Sequence, residues 1–107
     1  MARAIAKNLA IPQEKFQVSF QSRLGKEPWL EPYTSDVLPR LAQQGKKNIH
    51  IFSPSFVCDC LETTYEIQVE YSHAFKLAGG HSLTLVPGLN DHPHWINTLH
   101  SIVHDHI

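Results

Sequence analysis

The sequence predicts an open, three-layer α/β domain with a parallel sheet of three or four strands. Three observations predict it. Stretches with helical apolar spacing alternate with short strand-like runs in the order α-β-α-β-α-β-α. Each connection between the strand-like runs holds a helical stretch, as parallel neighbours require. The 107 residues, 42% hydrophobic and 18% charged, make one small domain in which a single core just suffices. Three strands are few for such a sheet, and the first helix has no strand before it. The chain, residues 1–107, is therefore expected to be one domain that is incomplete, either part of something longer or finished by a second copy.

Each element has its own justification. Ala2 to Ala10 reads as a short amphipathic helix, stopped near Pro12. In "KFQVSFQ", Phe16, Val18 and Phe20 alternate with polar neighbours, a strand signature. "SRLGKEPWLEPY" is a loop punctuated by Gly25, Pro28 and Pro32. Thr34 is the expected N-cap of a helix over Ser35 to Gln44, with Val37, Leu38 and Leu41 inward and Gly45 ending it. "NIHIF" is the second strand, closed by Pro54. A long helix follows from Asp59 or Cys60 to Ala78, and "LTLV" is the third strand. The last helix spans His92 to His104, with Pro93 suited to its first turn.

Charge and composition exclude several classes. A net charge of -1 offers no basic field for nucleic acid. No apolar run is long enough to cross a bilayer. "MARAIAKNLAI" lacks the apolar centre and small-residue cleavage site of a targeting peptide. Cys58 and Cys60 lie too close in sequence for an easy disulfide, which points to a reduced, cytoplasmic compartment.

Ligands of open parallel sheets bind beyond the carboxyl ends of the strands. Three segments should converge there: "QSRLGKEPWLEP", "SPSFVCDCLE" and "PGLNDHPHW". The second leads into Glu62, Glu66 and Glu70, each four residues after the last. On a helix Glu66 and Glu70 fall about 40° and 80° from Glu62, opposite Ile67, Tyr71, Phe75 and Ala78. Like charges so placed repel. Such a column is either a solvated face or a device for cations. Asp59 followed by Glu62 also approximates a capping box, which would make Glu62 a helix-start residue.

Other candidates are weaker. Two cysteines cannot supply a four-thiolate cluster, and both are expected as small buried hydrophobes. Of eight histidines, His100 and His104 share a helical face, but the carboxy-terminal set is expected to be exposed and idle. Trp29, between two prolines, is a hydrophobic plug or a flat wall for a flat ligand. Arg23 suits an acidic substrate group, or Glu27 or Glu31 of its own loop.

"FQVSFQSRLGKEPWLEPYTSDVLPRLAQQGKKNIHIFSPSFVCDCLETTYEIQVEY", together with "LVPGLNDHP", resembles the carboxy-terminal half of ferrochelatase. That family inserts ferrous iron into protoporphyrin IX to make protohaem. The resemblance runs from about Ala2 to Ile107, and "QSRLGKEPWL" with "DCLET" is highly specific. It implies a fold of two similar Rossmann-like domains around a porphyrin cleft, of which this chain would be most of the second.

Carried across, Glu62 matches the family's active-site glutamate. Glu66 and Glu70 match the acidic line proposed to carry metal or protons. Asp59 matches the acidic residue before that glutamate. Gln21, Ser22, Arg23 and Trp29 match the loop bordering the porphyrin. Cys60 stands where other members carry histidine, a mild departure. The family's catalytic histidine, in a segment resembling "SAHSLP", has no counterpart here, so the lone chain is expected to be nearly inactive. Ferrous iron is expected as a substrate and no iron–sulfur cluster or permanently bound cofactor is expected. The implied partners are protoporphyrin IX, ferrous iron and the amino-terminal half or a second copy, with membrane contact at most peripheral. The competing expectations are a non-catalytic porphyrin- or metal-binding module, perhaps a homodimer, and a purely structural α/β domain.

Overall fold

Two four-residue strands, β1 (Asn48–Ile51) and β2 (Ser82–Leu85), pair in parallel with Asn48 opposite Ser82 and Ile51 opposite Leu85. This is a computed structural model, and it describes residues 1–107. Parallel pairing needs a crossover, supplied here by the helical segment between the strands. The connection from residue 61 to residue 77 comprises α3 (Leu61–Thr64), a π-helical turn (Glu66–Tyr71) and α4 (Ser72–Leu77). Before the sheet lie α1 (Ala2–Asn8), a 3-10 turn (Gln13–Lys15) and α2 (Thr34–Gln43). After it comes α5 (Pro93–Asp105).

The core follows from the spacing of apolar residues. Leu38 and Ala42 of α2, Ile67 and Phe75 of the crossover, and Leu83 of β2 form one buried cluster. Leu41, Ile49, Ile51, Tyr71, Ala78 and Leu85 pack around it. Ile67 and Phe75 are completely buried, so the face opposite the glutamates is the inner one, as the wheel predicts. Gly79, with φ of 105°, takes the left-handed conformation that ends the crossover, and Lys47 Nζ donates to its carbonyl at 2.7 Å. His92 caps α5 through a bond to Nδ1 from the His94 N–H at 3.2 Å, ahead of Pro93.

Three expectations need correction. "KFQVSFQ" is not a strand of the sheet. Phe16 has extended backbone, but only Phe20 reaches a neighbour, an isolated parallel bridge to Tyr33. Its N–H donates to the Pro32 carbonyl and its carbonyl accepts from the Thr34 N–H, both at 2.9 Å. Extended residues without a flanking strand make no ladder, so the sheet has two strands rather than three or four. Thr34 is the first residue of α2 rather than its cap; Tyr33 holds that place, and Thr34 Oγ1 instead shares a 2.9 Å bond with Ser19 Oγ. Cys58 is exposed and Cys60 half-buried, so neither thiol is a core residue.

Little of the chain is interior. Nine of 107 residues are buried, and the radius of gyration is 15.8 Å where about 13 Å is usual for this length. α5 has no buried residue, and its Ile96, Leu99, Ile102 and Val103 face outward. No helix is long and apolar enough to cross a membrane.

Candidate functional site

The crossover begins with a cap that does not use Glu62. Cys60 is the N-cap, and its N–H donates to Thr63 Oγ1 at 3.0 Å. Thr63, fully enclosed, lies 3.0 Å from Asp59 Oδ1, which accepts its hydroxyl proton. The helix-start chemistry thus falls to Thr63, and the exposed Glu62 carboxylate is left free of that duty.

Asp59 is fastened to the turn after β2. Its carboxylate accepts from Asn90 Nδ2 at 2.9 Å and from the Gly88 N–H at 3.2 Å, while its own N–H donates to Asn90 Oδ1 at 2.8 Å. These bonds, the Asn90 amide first, hold the Asp59 carboxyl below the usual carboxylate range. Gly88 permits the approach: a Cβ there would sit 2.9 Å from the Val57 carbonyl oxygen.

The π-helical turn opens one residue beyond α3. Tyr65 O accepts from both Val69 N–H and Glu70 N–H at 3.0 Å, so the ladder passes from i→i+4 to i→i+5. The wider turn brings Tyr71 against Glu66, and the phenol donates to Glu66 Oε1 at 2.6 Å. Burial first, and this bond second, push the Tyr71 phenol well above its ordinary range.

Glu66 also holds the loop after residue 20. Its Oε1 accepts the Ser22 N–H at 2.9 Å, and its Oε2 accepts the Ser22 hydroxyl at 3.0 Å. Gln21 carries further ties, including one from its Nε2 to Ser22 Oγ at 3.3 Å. Its Nε2 donates to the Glu62 carbonyl at 2.8 Å, its Oε1 accepts from Ser53 Oγ at 2.7 Å, and its carbonyl accepts the Trp29 Nε1–H at 2.9 Å. Trp29 is 40% exposed, so it is not a buried plug. Arg23 lies with its guanidinium 4.8 Å from the Tyr33 ring centre.

Gln21, Ser22, Trp29, Glu62 and Glu66 are therefore brought together by one hydrogen-bonded group, and Asp59 and Cys60 flank it. Glu70 stays exposed one turn further along. Tyr71, Ser53 and Asn90 belong to the arrangement without having been singled out as site residues. Ser53 and Asn90 had a signal, their places in the converging segments "SPSFVCDCLE" and "PGLNDHPHW". The histidines of α5 are exposed, with His92 stacked on His94 at 5.3 Å and His100 6.0 Å from His104.

The family model described as ferrochelatase matches residues 1–107. The chain belongs to the ferrochelatase family. A ferrochelatase of Pseudomonas putida is 50% identical over 98 residues, covering 92% of this chain and 29% of that protein. A ferrochelatase of Legionella pneumophila is 45% identical over 103 residues, covering 96% of this chain and 31% of that protein. One from Pseudomonas syringae pv. tomato is 50% identical over 101 residues, covering 94% and 30%. The chain thus spans about three-tenths of the length of these ferrochelatases, and its small parallel sheet fits an incomplete α/β chelatase-like domain.

Proposed function

We propose that this chain forms the carboxy-terminal part of a ferrochelatase and, joined to the remainder of that fold, takes part in inserting ferrous iron into protoporphyrin IX. The supporting observation is Gln21, whose backbone carbonyl and side-chain amide bond the Trp29 indole and the Glu62 backbone in one step. A flat aromatic wall and an uncommitted carboxylate are thereby held at one edge of the sheet. Metallation removes two pyrrole protons from the ring; a carboxylate beside the ring is the group that can take one up. Glu62 is assigned that role. Glu62, Glu66 and Glu70 make the acidic line for the incoming divalent cation. Gln21, Ser22, Arg23 and Trp29 are assigned to the border of the macrocycle, with Arg23 assigned to its acidic substituents, and Asp59 and Cys60 set the start of the helix. Ferrous iron is substrate here. The reaction belongs to the cytoplasm, with peripheral membrane contact consistent with so apolar a product.

The test is haem formation from ferrous iron and protoporphyrin IX, measured with the chain alone and with the amino-terminal part of a ferrochelatase supplied in trans. Activity is expected only in the second case. Robust turnover by the lone chain, or none in the combination together with no porphyrin binding, rejects the reading. The outward Ile96, Leu99, Ile102 and Val103 of α5 favour a second reading, a non-catalytic porphyrin-binding homodimer. Molecular mass in solution separates a dimer from a monomer.

A further inference from the structure

We propose that Glu66 is a positioning residue that fixes the Gln21–Ser22 peptide unit and, through it, the indole of Trp29. The inference deepens the assignment of Trp29 as a porphyrin wall and rests on that reading. Its basis is that two contacts described separately meet on one rigid group. The N–H of the Gln21–Ser22 peptide donates to Glu66 Oε1 at 2.9 Å, and the carbonyl of the same peptide accepts from Trp29 Nε1–H at 2.9 Å. A peptide unit is planar, so holding its N–H sets the direction of its carbonyl. Polarisation along the chain from carboxylate to amide to indole strengthens both bonds.

Two further features point the same way. Ser22 has φ of 62°, in the left-handed region that a serine rarely enters, and Glu66 accepts from both its backbone and its hydroxyl. The strained residue is thus the one the carboxylate grips twice. Glu66 is itself steadied by Tyr71, five residues on. On an α-helix such residues point about 140° apart; the π-helical turn is what lets them meet. The wide turn therefore has a local purpose, which is to aim one carboxylate at one peptide.

The experiment uses the full chain carrying Trp95→Phe, so that Trp29 is the sole indole. Acrylamide quenching reports the indole's freedom, and protoporphyrin titration reports its use. Glu66→Gln is expected to raise the quenching constant about twofold and weaken porphyrin binding on the order of tenfold, as loss of bonds to a charged acceptor implies. Glu66→Asp, which keeps both acceptor oxygens, should recover part of each. Ser22→Ala added to Glu66→Gln should change neither much further, since the two act as one unit. Tyr71→Phe, the mildest change, should shift quenching in the same direction. Unchanged quenching in Glu66→Gln, or in Tyr71→Phe where Glu66→Gln does not fold, overturns the proposal, as does full additivity with Ser22→Ala. Absence of porphyrin binding in every variant would reject the proposed function, while quenching would still decide the role of Glu66.

Discussion

Asp59 and Asn90 bond one another in both directions: the Asp59 N–H donates to Asn90 Oδ1 at 2.8 Å, and Asn90 Nδ2 donates to Asp59 Oδ2 at 2.9 Å. The pair joins the segment after β1 to the segment after β2, 31 positions apart, so the two loops are one edge of the site. Asn90 does this with φ of 49°, a left-handed conformation that asparagine tolerates better than most residues.

Acid should loosen this edge. Asp59 titrates below its ordinary 3.8 when folded, because Asn90, Gly88 and Thr63 donate to its charged form. A lowered carboxyl contributes stability that is whole above 3.8 and is lost as pH falls through the folded value. The thermal midpoint should therefore drop as pH falls below about 3.8, and Asp59→Asn should flatten that part of the profile. An identical profile in the variant would remove Asp59 as the cause.

Gly88→Ala should destabilise the chain. The added Cβ would meet the Val57 carbonyl oxygen at 2.9 Å, and the Asp59 nitrogen and Phe56 carbonyl oxygen at 3.3 Å. Overpacking of this kind costs about 1–3 kcal/mol, to be read from the urea midpoint. An unmoved midpoint would mean that the two loops part easily.

The phase of the π-helical turn can be read from two of its residues. Ile67 is fully buried and Val69 is 50% exposed. Ile67→Val should cost about 0.5–1.5 kcal/mol, whereas Val69→Thr should stay within about 0.5 kcal/mol. Equal effects in chemical denaturation would place the turn in another register.

Glu62 and Glu66 should part company in a reconstituted enzyme. The loop is tied to Glu62 through its backbone carbonyl, so Glu62→Gln leaves that bond in place. Haem formation should fall by about 10²–10⁴-fold with porphyrin affinity kept. Retained turnover would deny Glu62 the proton-accepting role.

Much of this arrangement was legible in the residues themselves. The inward face of the crossover, the parallel order of the strands within "NIHIF" and about "LTLV", and Pro93 in the first turn of α5 all follow from local spacing. What escaped depends on partners distant in the chain. Phe16, Val18 and Phe20 alternate like a strand, yet a ladder needs a neighbour that alternation does not supply. Glu62, Glu66 and Glu70 are equivalent by period, but Ser22, 44 positions before Glu66, makes that carboxylate unlike the others. The i→i+5 turn is defined by which carbonyl each N–H reaches, and apolar spacing does not specify that.

So small an interior leaves much apolar surface to be covered. With nine enclosed residues, and with Leu24, Leu61 and Leu77 more than three-quarters in water, these 107 residues are held by few fully enclosed contacts. Any surface that seats on them therefore adds to their stability by mass action, in proportion to how tightly it binds.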